Sequence, residues 1–223
     1  MEKTKKSTHK PNEAGKASIQ QAYRETLLNE GKPPSSVFTF CKSLGLKEDK
    51  FYQYYGSFEA IEKEIWSDYV TKVTSRLEKD ANYTSFSTRE KVLAFLFTLV
   101  DVLRQDRSLV LFFLKEWKNP ALTPGFLKVF KKNFDTWLTP VLNEGKQNAE
   151  IAKRPYLDGQ YDSLFWLHLL FILQFWNHDD SAGFEKTDAA IEKSVNLAFD
   201  LIGKGVLDNA LDFGKFLYQN SKN

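Results

Sequence analysis

The sequence is poor in the residues that build conventional reactive sites, with one cysteine and three histidines in 223 residues. A single thiol, Cys41, excludes an intramolecular disulfide and leaves no second thiol for a metal cluster, which fits a reducing compartment such as a bacterial cytosol. Cys41 itself reads as a small buried apolar residue on a helix. With His9, His168 and His178 far apart and no phosphate-cradling glycine loop, the expectation is a protein that is not an enzyme and holds no cofactor and no metal.

Punctuation is scarce as well. Only seven prolines and eleven glycines interrupt the chain, apolar residues return at intervals of three and four, and no alternation of strand type emerges, so the fold class is all-α. Long apolar runs are missing too. The most apolar stretch, Leu164 to Trp176, carries His168 and Gln174 and falls short of the roughly 18–20 residues a membrane span needs, so it reads as a buried helix and no membrane span is expected. The N-terminus, MEKTKKSTHKPNEAGK, has no apolar core of a secretory signal, and residues 1–17 read as a flexible basic arm of a cytoplasmic protein.

Charge of one sign is also lacking. The 31 Lys and Arg residues nearly balance 29 Asp and Glu residues, leaving +2, so any argument for an acidic partner must be local. Hydrophobic residues at 42% and charged ones at 27% nevertheless belong to an ordinary globular chain.

The chain divides by its caps. A first helix presents Ile19, Ala22, Tyr23, Thr26 and Leu27 on one face and stops at Gly31-Lys-Pro-Pro. Ser35 or Ser36 offers an N-cap for a short second helix, Val37 to Ser43. Gly45 permits the positive φ of a tight turn, and a third helix starts at Leu46 and runs through Phe51 and Tyr55, giving a helix-turn-helix pattern. Ser57 can cap a longer fourth helix with Ile61, Ile65, Trp66 and Tyr69 inside.

Further on, Ser87-Thr-Arg-Glu90 is a capping box before a fifth helix, Asn119-Pro120 closes the next one, and Thr123-Pro124 starts another with proline at its first helical position, ending at Glu144-Gly145. Lys146 to Asp158 reads as a polar connector. The run YDSLFWLHLLFILQFWNHDD is apolar nearly all round, and Thr187 opens a last long helix with Ile191, Val195, Ala198 and Ile202 in one stripe. Two such helices near the C-terminus suit packing against a twofold copy, so a homodimer is expected.

Residues 18–66 resemble the N-terminal domain of TetR-type transcriptional regulators. The likeness runs from Ile19 and Ala22 through Glu30-Gly31, Ser36-Val37 and Gly45-Leu46 to Phe51-Tyr52, Tyr54-Tyr55, Ser57 and Glu59-Ala60-Ile61. The resemblance implies a TetR-like architecture: a three-helix helix-turn-helix domain over 18–66, then a larger helical ligand-binding and dimerisation domain over 67–223. It also implies a dimeric repressor whose reading helices enter successive major grooves of double-stranded operator DNA, about 34 Å apart, and which an apolar small-molecule ligand releases.

Carried over by position, Ser35 and Ser36 stand where a helix start meets phosphate, and Tyr52 and Tyr54 where hydroxyls touch the DNA backbone. Lys47 and Lys50 stand where a base or phosphate is reached, and Gln53 where a base is read. The departures are Glu48 and Asp49 at the start of the reading helix and Phe58 where a lysine is usual. Residues 18–66 hold six basic and seven acidic residues, unfavourable for neutralising phosphates, while the arm adds five lysines against two acids. These departures support an alternative, a TetR-fold lipid- or isoprenoid-binding protein that has lost specific DNA binding.

The larger domain is rich in Phe and Trp. Phe113, Trp117, Trp137, Trp166 and His168 are the ligand-binding candidates, although aromatics at helical spacing also simply fill cores and His168 also reads as a satisfied core histidine. His178-Asp179-Asp180 reads as a solvated helix terminus rather than a metal cluster.

Overall fold

The structure is a computed structural model that describes residues 15–115, 117, 122–154, 158–203, 205, 213–214 and 216–220. Among these, nine α-helices follow one another: α1 (Lys16–Glu30), α2 (Val37–Ser43), α3 (Glu48–Tyr52), α4 (Phe58–Leu77), α5 (Thr88–Arg104), α6 (Arg107–Lys115), α7 (Leu127–Gln147), α8 (Tyr161–His178) and α9 (Glu185–Ile202). The described residues contain no strand, in keeping with an all-α chain.

Local chemistry sets most of the boundaries. Gly31 ends α1 in the left-handed region at φ 66°, where its N–H donates to the Leu27 carbonyl. Ser36 caps α2 by accepting from the Thr39 N–H, Ser57 caps α4 by accepting from Ala60, and Ser87 with Glu90 closes a full capping box on α5. Gly45, at φ 68°, makes the turn between α2 and α3.

Several boundaries differ from the sequence-based expectation; α9, for one, opens at Glu185 rather than at Thr187. Leu46 is still in the turn, donating its N–H to the Cys41 carbonyl, and Lys47 is extended, so α3 starts at Glu48 and ends at Tyr52. Pro124 lies before α7, in a turn closed by the Leu127 N–H on its carbonyl. Gly145 does not stop α7, which continues to Gln147. A Cβ at that position would lie 2.7 Å from Thr88 Oγ1, so the glycine serves a close helix approach. The closing pair Asn119-Pro120 lies outside the described residues.

The core is one continuous apolar cluster, from Ile19 and Tyr23 in α1 to Val195 and Phe199 in α9. Helix α4 is its spine: it buries Ile61, Ile65, Trp66, Tyr69, Val70, Val73 and Leu77, and packs chiefly on α5 and α7. The segment expected to be a polar connector after α7 is partly internal. Ile151 and Ala152 are buried, and Arg154 donates to the carbonyls of Ile202 and Gly203 at the end of α9.

Helix α8 buries Phe165, Trp166, Leu169, Ile172 and Trp176, but its remaining side is bare: Leu164, Leu167 and Phe171 are each about half exposed. The loop after it is more ordered than a solvated terminus. Asp179 is 5% exposed and accepts from the N–H and hydroxyl groups of both Ser181 and Thr187, which ties the end of α8 to the start of α9. These hydrogen bonds hold its carboxyl far below the usual carboxylate range, against the opposing effect of burial. No helix among the described residues is long and apolar enough to cross a membrane.

Candidate nucleic-acid interface and ligand pockets

The small helices at the N-terminal end are held together by aromatic rings. Phe40 of α2 and Phe51 of α3 meet edge-on at 6.2 Å, and Tyr23 of α1 meets Phe40 at 6.1 Å. Phe58, the residue in the place of the usual lysine, completes this cluster. It stacks on Tyr23 with centroids 5.1 Å apart and planes at 10°, and turns its edge to Phe40 and Phe51. The missing cation is thus accounted for by packing.

With Phe51 and Tyr55 turned inward, the polar candidates are left outside. Ser35, Ser36, Lys47, Tyr52, Gln53 and Tyr54 are all exposed and Lys50 is half-buried. Ser35 and Ser36 are joined through Thr39, whose Oγ1 lies 3.0 and 2.7 Å from their hydroxyls. Lys50 rests over the Tyr54 ring at 5.4 Å, which fixes that ammonium beside the phenol. Glu48 and Asp49 occupy the first turn of α3, where acids complement the helix dipole, and Asp49 Oδ1 accepts from the Lys50 N–H.

The exposed face also carries Phe38, 58% exposed, with Lys42 6.0 Å over its ring. Sequence reasoning passed it over. The signal was there: Phe38 and Phe40 cannot both face inward on α2, and Phe40 is the one the core takes.

Among the pockets lined by described residues, Phe113, Trp117 and His168 fall in three different ones. Trp137 stacks on Phe95 at 4.1 Å and donates Nε1–H to the Tyr83 hydroxyl. Trp166 is buried against Phe130 and Phe134 and donates to Thr123 Oγ1. Trp117 donates to the Leu122 carbonyl and lines a pocket of about 390 Å³ of mixed character with Leu111, Leu114, Gln174 and His178. Phe113 lines a cavity of about 420 Å³ at the joint between α1, α4, α6 and the start of α7.

His168 faces a different space, an apolar groove of about 260 Å³ between α8 and α9 that Leu164, Phe165 and Leu201 also line. Its Nε2 lies 2.7 Å from the Ser194 hydroxyl, and burial pushes its pKa down to about 4. Among the described residues no group of side chains is arranged to hold a metal ion.

Residues 91–217, more than half of the chain, match the family described as tetracyclin repressor-like, C-terminal domain. The chain belongs to this family.

Solved structures extend the likeness of this tetracyclin repressor-like chain to its N-terminal helices. A protein of Syntrophomonas wolfei described as belonging to the TetR family of transcriptional regulators is 14% identical, with a TM-score of 0.67 over 86% of this chain and 96% of that one. A TetR family transcription regulator of Marinobacter aquaeolei is 17% identical, with a TM-score of 0.52 over 84% and 94%. The fatty acid degradation regulator FadR of Bacillus halodurans is 16% identical, with a TM-score of 0.53 over 84% and 97%. At these identities the likeness is one of fold. No curated protein sequence matches the chain significantly.

Within this TetR-like frame, sequence reasoning missed the joint between the small helices and the rest. Arg24 of α1 donates to Asp106 Oδ2, just before α6, at 2.8 Å, and the Tyr69 hydroxyl of α4 reaches the same oxygen at 3.0 Å. Burial raises the Asp106 pKa in part, but Arg24 and Tyr69 outweigh it and hold the carboxyl below its usual value. Residues 82 positions apart give no periodic signal of their contact.

Proposed function

We propose that the protein is a one-component transcriptional regulator: a homodimeric repressor that holds double-stranded operator DNA through α2 and α3 and releases it when an apolar small molecule binds. The division into an arm over 1–17, a reading head over 18–66 and a larger ligand-binding and dimerising domain over 67–223 is part of this proposal. One observation carries it. With the aromatic cluster of Tyr23, Phe40, Phe51 and Phe58 packed inside the head, Lys47, Tyr52, Gln53 and Tyr54 are exposed on a TetR-like chain.

In this reading the hydroxyls of Ser35, Ser36, Tyr52 and Tyr54 meet the phosphate backbone, Lys47 and Lys50 supply charge, and Gln53 faces base edges. Dimerisation is supported by the bare side of α8 and its neighbour α9, where Leu164, Leu167, Phe171, Leu197 and Leu201 form an exposed apolar face. Phe113, Trp117, Trp137, Trp166 and His168 remain the aromatic and polar groups through which the larger domain would sense its ligand. Selection from a random duplex library tests the reading. Enrichment of an inverted repeat, with enrichment lost on replacing Lys50 and Tyr52 by alanine, is the expected result.

A second reading rests on the acids Glu48 and Asp49 and on Phe58 standing in for a lysine. The chain would then be a TetR-fold lipid- or isoprenoid-binding protein without specific DNA recognition, and the same selection would return no sequence.

A further inference from the structure

The cavity at the joint combines aromatic walls with a carboxylate that forms no ion pair among the described residues. Phe112 and Phe113 of α6 and Phe126, just before α7, form its apolar side, with Phe113 and Phe126 tilted at 5.3 Å. Glu62 of α4 supplies the carboxylate, and the turn after α1, with Lys32 and Pro33, closes the opposite wall. The Glu62 Oε1 accepts one hydrogen bond, from the Tyr23 hydroxyl at 2.7 Å, and no Lys, Arg or His nitrogen among the described residues lies within ion-pair distance of it. Lys32 is exposed on the turn whereas Glu62 is partly buried, so the carboxylate is the inner of the two charges that line the cavity, with Lys63 on the same helix acting on it only through space.

We infer that this joint cavity binds a lipophilic organic cation, its charge beside the Glu62 carboxylate and its apolar body against Phe112, Phe113 and Phe126. The chemistry is general. A ring face attracts a cation more strongly once water is excluded, and a half-buried carboxylate gains a partner it otherwise lacks. An anion of the same size meets the Glu62 charge instead. At about 420 Å³ the cavity falls within the range of small-molecule sites. Burial, with the nearby Glu59 charge, holds the Glu62 pKa above its ordinary value against the Tyr23 hydrogen bond and the Lys63 charge, so a bound cation releases protons and binding tightens as pH rises.

The position explains how such a ligand would act. It would press at once on the α1–α2 turn, on α4 and on α6, and so re-aim the reading head. That consequence rests on the regulator reading, whereas binding itself does not.

The test is calorimetric titration of the DNA-free full chain with tetraphenylphosphonium and with tetraphenylborate, two ions of like shape and opposite charge. Binding of the cation at least tenfold tighter than the anion is expected. Glu62→Gln, which keeps an acceptor for Tyr23, should abolish the preference, and Phe112→Ala, at a half-buried position, should weaken the cation by tenfold or more, with circular dichroism confirming that both variants fold. Equal binding of the two ions, no binding, or a preference untouched by both variants would overturn the inference. Cation binding to a protein that selects no DNA sequence would leave the site standing and remove only its regulatory role.

Discussion

The guanidinium of Arg24 and the carboxylate of Asp106 are joined at 2.8 Å across the junction of α1 with α6, with side chains only 13% and 31% exposed. Because Tyr69 of α4 shares the same oxygen, three helices meet at one carboxylate. Asp106→Asn should lower stability by about 1–2 kcal/mol, less than a fully buried charged hydrogen bond because solvent screens part of it. A double-mutant cycle with Arg24→Ala, read by urea unfolding, should show most of that loss already present in the single variants. Additive losses would mean the pair is not coupled.

Phe58 replaces a cation with a ring that packs on three others. Phe58→Ala should destabilise the head by about 1–3 kcal/mol, below the figure for a fully buried ring because Phe58 is half-buried. Thermal unfolding followed by near-ultraviolet dichroism measures it. Stability unchanged within about 0.5 kcal/mol would contradict the role given to Phe58.

Gly145 sits inside α7 where a Cβ would meet Thr88 Oγ1 at 2.7 Å and Ile151 Cδ1 at 2.9 Å. Elsewhere in a helix alanine is favoured over glycine, yet here Gly145→Ala should destabilise by about 1–3 kcal/mol through overpacking. Chemical denaturation distinguishes the two signs directly.

His168 predicts a pH dependence. Its folded pKa, about 4, lies below the ordinary 6.5, so the unfolded chain binds the extra proton between those values. The His168 contribution is therefore flat above pH 6.5 and stability falls as pH drops from 6.5 towards 4. The raised pKa of Glu62 acts in the opposite sense near the lower end, so the comparison is between wild type and His168→Gln, whose melting temperature should fall less over this window. Parallel profiles would mean that His168 is as easily protonated folded as unfolded.

The exposed leucines of α8 and α9 predict the assembly. Leu167→Glu with Leu197→Glu, both side chains more than half exposed in one chain, should leave the fold intact and give a monomer by sedimentation. Unfolding would show that the face belongs to the core, and an unchanged dimer would place the interface elsewhere.

Much of the fold was legible because helix ends are local chemistry. Gly31, Ser36, Ser57 and the Ser87–Glu90 box act within four residues of themselves, and the sequence displays them directly. Gly145 was misread as a stop because its use, approach to Thr88, depends on a segment nearly sixty positions away. The site was legible only in part. Outward residues of α3 follow from which aromatics turn in, but Trp137 and Trp166 look the same in sequence whether they fill a core or line a cavity. Glu62 left a faint trace, an acid four residues before the buried Trp66 on the same helical face.

The measurement closest to the central claim is a fluorescence-anisotropy titration of the protein against the duplex upstream of its own gene and a scrambled duplex, at two salt concentrations. The account predicts a preference of at least about 10³-fold for a specific duplex that survives the higher salt, and its loss in the Lys50→Ala and Tyr52→Ala variant. Weak binding, equal for both duplexes and lost with salt, would contradict it.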